Sequence, residues 1–169
     1  DYSPRQLWQM VRLGMESEVL NSRTFWLCTA CKSCQVRCPR GISITDTMLA
    51  LKEYAHRAGI NVPTGMLMLG ETVVTSHNIS GDENAHRQIW SENLPRAPLG
   101  VRPRRRLAEV VYFIGCVGSF YPRVYSIPQA MVQLMEQAGV EFTTLGEDEW
   151  CCGYPLYVAG MRERMGELV

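Results

Sequence analysis

The chain has 169 residues, enough for one or two small domains, and its 46% hydrophobic and 20% charged residues are an ordinary globular balance. Lys and Arg number 17 and Asp and Glu number 17, which excludes nucleic-acid binding through bulk charge, because neutralising a phosphate backbone needs a cationic excess. The longest apolar run, Val110 to Ile114 with its flanks, falls far short of the roughly 20 residues that span a bilayer, and no secretory leader is visible.

In chain order, Ser3-Pro4 ahead of Leu7, Met10, Val11 and Met15 predicts a capped helix with Pro in its first turn. A short helix at Glu16–Leu20 leads through Trp26-Leu27 to the first cysteines. Ser43 or Thr45 caps a helix that runs to Ala58, with Met48, Leu51 and Ala55 on one face and Gly59 at its end. Residues 60–93 read as weak helix and loop. Residues 94–106 read as a linker: Pro95, Pro98 and Pro103 remove donors, and Arg104-Arg105-Arg106 repel one another. Glu109 to Ile114 is a strand signal ended by Gly115. Ile127 to Ala138 is amphipathic, with Met131, Leu134 and Met135 at helical spacing and Gly139 as the cap. Val140 to Leu145 is a second strand signal, and Pro155 begins another helix. Strand, helix, strand, helix predicts a βαβ unit with parallel strands. The chain opens on Asp1 and stops at Val169 inside a helical pattern, so it is expected to be an interior piece of a longer polypeptide.

Seven cysteines stand at 28, 31, 34, 38, 116, 151 and 152. An odd count, with four of them inside eleven residues, makes a poor disulfide framework. Thiols grouped this way bind metal, and a reducing compartment keeps them free to do so. The cytoplasm is the expected location, with the chain either free or peripheral to a membrane complex. Cys28-x2-Cys31-x2-Cys34-x3-Cys38-Pro39 matches the bacterial ferredoxin run, closing proline included. Three thiolates two residues apart wrap one face of a cubane [4Fe-4S] cluster, and the fourth points to a different iron. A second such run is expected ahead of Asp1. The competing interpretation is structural zinc, giving a zinc-stabilised interaction module, although zinc usually takes two separated pairs.

Cys116 follows the first strand, and Cys151-Cys152-Gly153 follows the second after 34 intervening residues. Ligand sites of open α/β sheets gather at the carboxyl ends of strands, and parallel neighbours lie only about 4.8 Å apart. The sulfurs of Cys116, Cys151 and Cys152 are therefore expected to converge in one pocket. The competing interpretation is two core cysteines and a coincidental pair. His56, His77 and His86 have no ligand spacing to any cysteine, and His56 reads as a surface residue. Tyr121 and Tyr125 read as packing residues. Trp150 either shields a cluster or closes the core, and Arg37 and Arg40 offer positive charge beside the first run.

These residues carry a family resemblance. Tyr2-Ser3-Pro4-Arg5, Trp26-Leu27-Cys28-Thr29-Ala30-Cys31 and Arg37-Cys38-Pro39-Arg40-Gly41 resemble the small ferredoxin-like subunit of heterodisulfide reductase. Cys116 with Cys151-Cys152-Gly153 resembles the opening of a cysteine-rich CCG repeat in that enzyme's catalytic subunit. The resemblance covers nearly the whole chain and implies an α+β protein: a helical ferredoxin-like iron–sulfur domain (1–93), the linker (94–106), and the beginning of an α/β (βαβ) cysteine-rich domain (107–169). It implies [4Fe-4S] clusters at Cys28, Cys31, Cys34 and Cys38, and an unusual iron–sulfur cluster at Cys116, Cys151 and Cys152 that meets a disulfide substrate. The repeat's closing Cys-x2-Cys is expected beyond Val169, which leaves this chain without a complete catalytic site. The implied role is an electron-transfer subunit whose partners are a flavoprotein or further iron–sulfur subunits. The alternative is a non-catalytic wiring subunit of a larger flavin- or quinone-linked complex.

Overall fold

A computed structural model of the chain describes residues 2–96, 98–101 and 108–168. The linker expected at 94–106 falls partly on residues 97 and 102–106, which lie outside the described residues. The chain divides into two compact units, and the division is not at that linker. One unit comprises residues 1–71 with 153–167, the other residues 72–152.

In the first unit, α1 (Pro4–Arg12) starts at a capping box: Ser3 Oγ accepts from the Gln6 amide, and Gln6 Oε1 accepts from the Ser3 amide at 2.8 Å. The short α2 (Glu16–Leu20) follows, and α3 (Ser33–Val36) begins inside the cysteine run. Next comes α4 (Ile44–Ala58), closed by Gly59 in the left-handed region at φ 65°. Its inward face carries Met48 and Ala55, which pack with Leu7, Val19, Leu20, Phe25, Trp26 and Ile44 into the first core. Cys28 and Cys34 lie against that core.

Residues 60–93 are more ordered than expected. A full helix, α5 (Thr64–Ser76), occupies the stretch where two glycines and the β-branched run Thr72-Val73-Val74-Thr75 argue for weakness. Packing overrides that preference. A side chain at Gly70 would lie 2.5 Å from the sulfur of Met161, and Val73 has no exposed surface.

The second unit is built around a two-stranded parallel sheet. Here β1 (Val110–Val111) precedes α6 (Gly115–Phe120), α7 (Ser126–Gln137) and β2 (Phe142–Thr143), with Val110 opposite Phe142 and Val111 opposite Thr143. The α+β class and the parallel βαβ order thus stand as the sequence implies. Both strands are shorter than Glu109–Ile114 and Val140–Leu145, and the edge of β2 turned away from β1 is occupied by the 99–101 segment, where the Thr144 amide donates to the Gly100 carbonyl at 3.1 Å. The buried face of α7 is also rotated from the expected stripe. Pro128 and Val132 are buried, whereas Met131 and Leu134 are 43% and 60% exposed. What sets that face is Trp90, from the 3-10 helix Asn84–Ser91. It is fully buried with Val101, Val132 and Phe142, and its carbonyl accepts from Gln129 Nε2 at 2.7 Å.

The chain then returns to the first unit through α8 (Tyr154–Val158), which has Pro155 in its first turn, and α9 (Arg162–Met165). Gly160 lies so close to α4 that a Cβ there would be 2.6 Å from the Lys52 backbone. No helix among the described residues is long and apolar enough to cross a membrane.

Candidate iron–sulfur sites

The first cysteine run is a loop wound tightly by its own backbone. Ala30 and Lys32, on either side of Cys31, take the left-handed region at φ 57° and 59°, a conformation that costs side-chain-bearing residues energy and occurs where the surroundings enforce it. Alternating handedness of this kind turns successive N–H groups toward one concave side, where negative charge is favoured. Two of the thiols, Cys31 and Cys38, are made more acidic by nearby hydrogen bonds. Hydrogen bonds from the Ser33 hydroxyl and amide and the Thr29 hydroxyl hold Cys31 below the usual thiol value. Backbone N–H groups of Ile42 and Arg40 do the same for Cys38, with help from the Arg40 charge. Beside them a groove of about 750 Å³ is lined by Arg5, Trp8, Arg12, Cys34, Cys38 and Arg40 among others, so three cations face the side on which the fourth cysteine sits.

Behind the run stands Lys52, a residue with no exposed surface. Its Nζ donates to the Cys28 carbonyl at 2.6 Å and the Val158 carbonyl at 3.0 Å. Burial draws its pKa down, and the nearby Cys28 thiol opposes that.

In the second unit Cys116 and Cys151 come together, both buried. Cys116 sits in the first turn of α6, after Gly115 at φ 78°. Its thiol is lowered to about 6 by a hydrogen bond from Cys151, with burial opposing and the Arg87 guanidinium and Ile79 amide assisting. Arg87 Nη2 donates to Cys116 Sγ at 3.4 Å, and Arg87 Nη1 donates to Glu149 Oε1 at 3.0 Å. The Glu149 carboxylate accepts from the amides of Ile114 and Gly115 at 3.0 and 2.9 Å. Cys152 is exposed. The pair is not assembled simply by two strand ends, since the 3-10 turn Gly146–Asp148 separates β2 from Cys151. What fixes Cys151 is its amide, which donates to the His77 carbonyl at 2.7 Å.

His77 stacks on Trp150 with centroids 3.7 Å apart, and Trp150 is 43% exposed, so it neither closes the core nor is buried beside the thiols. Tyr121 is exposed, while Tyr125 packs against the second core. His56 is half-buried and its Nε2 has no partner, in contrast to the surface position expected from its charged neighbours.

Among the described residues no three His, Cys, Asp or Glu side chains are already gathered at metal-holding distance. The donor chemistry nevertheless fits iron and sulfide. Four thiols stand in the ferredoxin spacing with amides directed at two of them, and two buried thiols are in contact, one of them bonded by a cation. Arg87, Glu149 and Lys52 carry no sequence motif, although the position of Glu149 two residues before Cys151 is a usable signal.

Both cysteine-bearing segments have counterparts among known proteins. Residues 110–169 match the family model of the cysteine-rich domain designated CCG. The chain is 29% identical over 138 residues to the EtfAB:quinone oxidoreductase of Syntrophomonas wolfei, covering 80% of this chain and 19% of that protein. It is 29% identical over 133 residues to one component of the dihydromethanophenazine:CoB–CoM heterodisulfide reductase of Methanosarcina acetivorans, covering 79% and 30%. It is 36% identical over 85 residues to one component of the ferredoxin/F(420)H(2)-dependent CoB–CoM heterodisulfide reductase of the same organism, covering 50% and 48%. The chain thus spans less than half the length of each of these relatives. No solved structure matches it.

Proposed function

We propose, from the premise that the chain is a heterodisulfide reductase-like iron–sulfur protein, that it passes electrons between the Cys28–Cys38 run and a cysteine-rich site at Cys116, Cys151 and Cys152, where a disulfide is reduced. The observation that carries the proposal is the buried contact of Cys116 with Cys151, in the segment matched by the cysteine-rich model, beside a guanidinium aimed at the sulfur. Cys28, Cys31, Cys34 and Cys38 would hold a [4Fe-4S] cluster, Cys38 serving either that cluster or a neighbouring one. Bound clusters supply one-electron chemistry, and a two-electron disulfide therefore calls for more than one centre. The chain's own residues arrange the rest. Phe25, Trp26 and Ile44 keep water from one side of Cys28 and Cys34. Lys52 anchors the carbonyl of Cys28, and the His77 carbonyl anchors Cys151.

The relative from Syntrophomonas wolfei supports a second reading, a wiring subunit of a flavin- or quinone-linked complex, since that protein's name refers to a quinone and the similarity spans 80% of this chain. In either case the partners are other redox subunits, and the compartment is the reducing cytoplasm or its membrane face.

The test is made on anaerobically purified full-length protein. Iron and acid-labile sulfide are expected, with electron paramagnetic resonance signals on reduction. Cys31→Ser should delete one signal and Cys116→Ser another. Stoichiometric zinc without iron would overturn the assignment. Oxidation of the reduced protein by a small organic disulfide supports the first reading, and oxidation by a quinone alone supports the second.

A further inference from the structure

We infer that Arg87 is a positioning residue for the second cysteine site: its guanidinium, held from behind by Glu149, His77 and Asn84, neutralises the sulfur of Cys116 and raises the reduction potential of the iron–sulfur centre bound there. The inference rests on the proposed binding of that centre at Cys116.

The geometry of the guanidinium is the ground for it. An Arg beside a carboxylate prefers a two-pronged pairing, both outer nitrogens on the two oxygens. Arg87 forgoes it. Only Nη1 bonds Glu149, at 3.0 Å, while Nη2 is turned to Cys116 Sγ at 3.4 Å and the His77 carbonyl at 3.2 Å. Glu149 does not lack donors as a result, because the amides of Ile114 and Gly115 supply them. Nε of Arg87 goes to Asn84 Oδ1 at 3.0 Å, so every edge of the cation is engaged. Its plane also sits 5.2 Å from the Phe120 ring centre. Arg87 and Glu149 are each 1% exposed. A cation so completely removed from water is costly unless its donors find acceptors, and here one of those acceptors is sulfur.

The scaffolding behind Arg87 has the same direction. Asn78, with no exposed surface, donates to the carbonyls of Ser76 and Asp82 and to Asn84 Oδ1, and it accepts from the amides of Ser80 and Gly81. This fixes the loop that presents Asn84 to Arg87 and the His77 carbonyl to both Arg87 Nη2 and the Cys151 amide. His77 itself is held in the left-handed region at φ 56°, and that strain is spent on aiming its carbonyl. One carbonyl therefore ties the second cysteine to the cation that meets the first. His77, Asn78, Asn84 and Arg87 precede the segment matched by the cysteine-rich family model, which begins at residue 110. Hydrogen bonds to ligating sulfurs and nearby net charge are principal determinants of iron–sulfur potentials.

The test is a redox titration of anaerobic full-length protein, following the paramagnetic signal that Cys116→Ser abolishes. In Arg87→Gln the reduced-to-oxidised ratio at the wild-type midpoint should fall about tenfold, equivalent to about 59 mV for one electron. Arg87→Lys, which keeps the charge, should restore most of it. Glu149→Gln, which removes the opposing charge, should shift the ratio the other way. The signal that depends on Cys31 serves as an internal control and should not move. A ratio unchanged within about twofold in Arg87→Gln, or a loss equal in Arg87→Lys, would overturn the inference while leaving the cluster assignment intact. Absence of any Cys116-dependent signal in wild-type protein would remove the proposed site and this inference with it. Should the variants fail to load iron, wild-type protein labelled with ¹⁵N-arginine decides: a ¹⁵N hyperfine coupling on that signal is expected, and none would overturn the role of Arg87.

Discussion

At the scale of single residues, the side chains that organise both cysteine groups are charged and buried, which is where sequence patterns say least. Lys52 falls within a helix whose polar positions look solvated, yet its amine bonds two carbonyls that are 24 and 106 residues away in sequence. Lys52→Met would leave both carbonyls without a donor, and an unsatisfied buried group costs about 1–3 kcal/mol. A loss of about 2 kcal/mol is expected from the denaturant midpoint at unchanged slope. Lys32→Met, at an exposed position, should stay within about 0.5 kcal/mol. Equal effects from the two would show that the Lys52 bonds contribute nothing. The seven cysteines were legible because their spacing concentrates the chemistry in one residue type. Lys52, Arg87 and Glu149 were not, since a charge becomes buried only through partners that the fold brings from far along the chain.

At the scale of elements, starts and stops were legible and faces less so. The capping box at Ser3, the Gly59 terminator and Pro155 each act locally, and all three helix ends fall where such signals put them. The inward face of α7 depends instead on Trp90, which no local pattern connects to it. The 99–101 segment likewise lines the free edge of β2, where the Thr144 amide donates to the Gly100 carbonyl, and Gly100 permits this approach because a Cβ there would lie 2.5 Å from the Phe142 ring and carbonyl. Gly100→Ala is therefore expected to push β2 away and to cost about 1–3 kcal/mol in thermal unfolding, the usual range for overpacking. Gly65→Ala, in the first turn of α5 with no atom within 4 Å of the new carbon, should be neutral or stabilise by up to about 1 kcal/mol. A harmless Gly100→Ala would mean that the 99–101 segment does not brace the sheet.

At the scale of the whole molecule, composition points to a boundary at the proline- and arginine-rich stretch, while the compact units part near residues 72 and 153. Proline and charge report where a chain is stiff or repelled, not which core receives it, and Trp90 belongs to the core of the second unit. The first unit is consequently discontinuous, and its two parts must find each other across everything between them. Closing the 106-residue separation between Lys52 and Val158 costs about 4 kcal/mol of chain entropy beyond the constant term, so this step is expected late. In refolding followed by pulsed hydrogen exchange, the amides of Tyr157, Ala159 and Met161, bonded in and after α8, should gain protection after those of α7. Simultaneous protection would show one cooperative unit instead. The interval has a counterpart on the ribosome. Residues 72 to 167 must be added after the first part is made and before the second is complete, and at about 5–20 residues per second their synthesis takes about 5 to 20 s. Throughout that time the loop bearing Cys28 is tethered by a lysine that has only one of its two carbonyls. The nascent chain thus passes through a stage in which its first thiols are already made but not yet locked, and anything that recognises the open loop, a protease included, has those seconds in which to act.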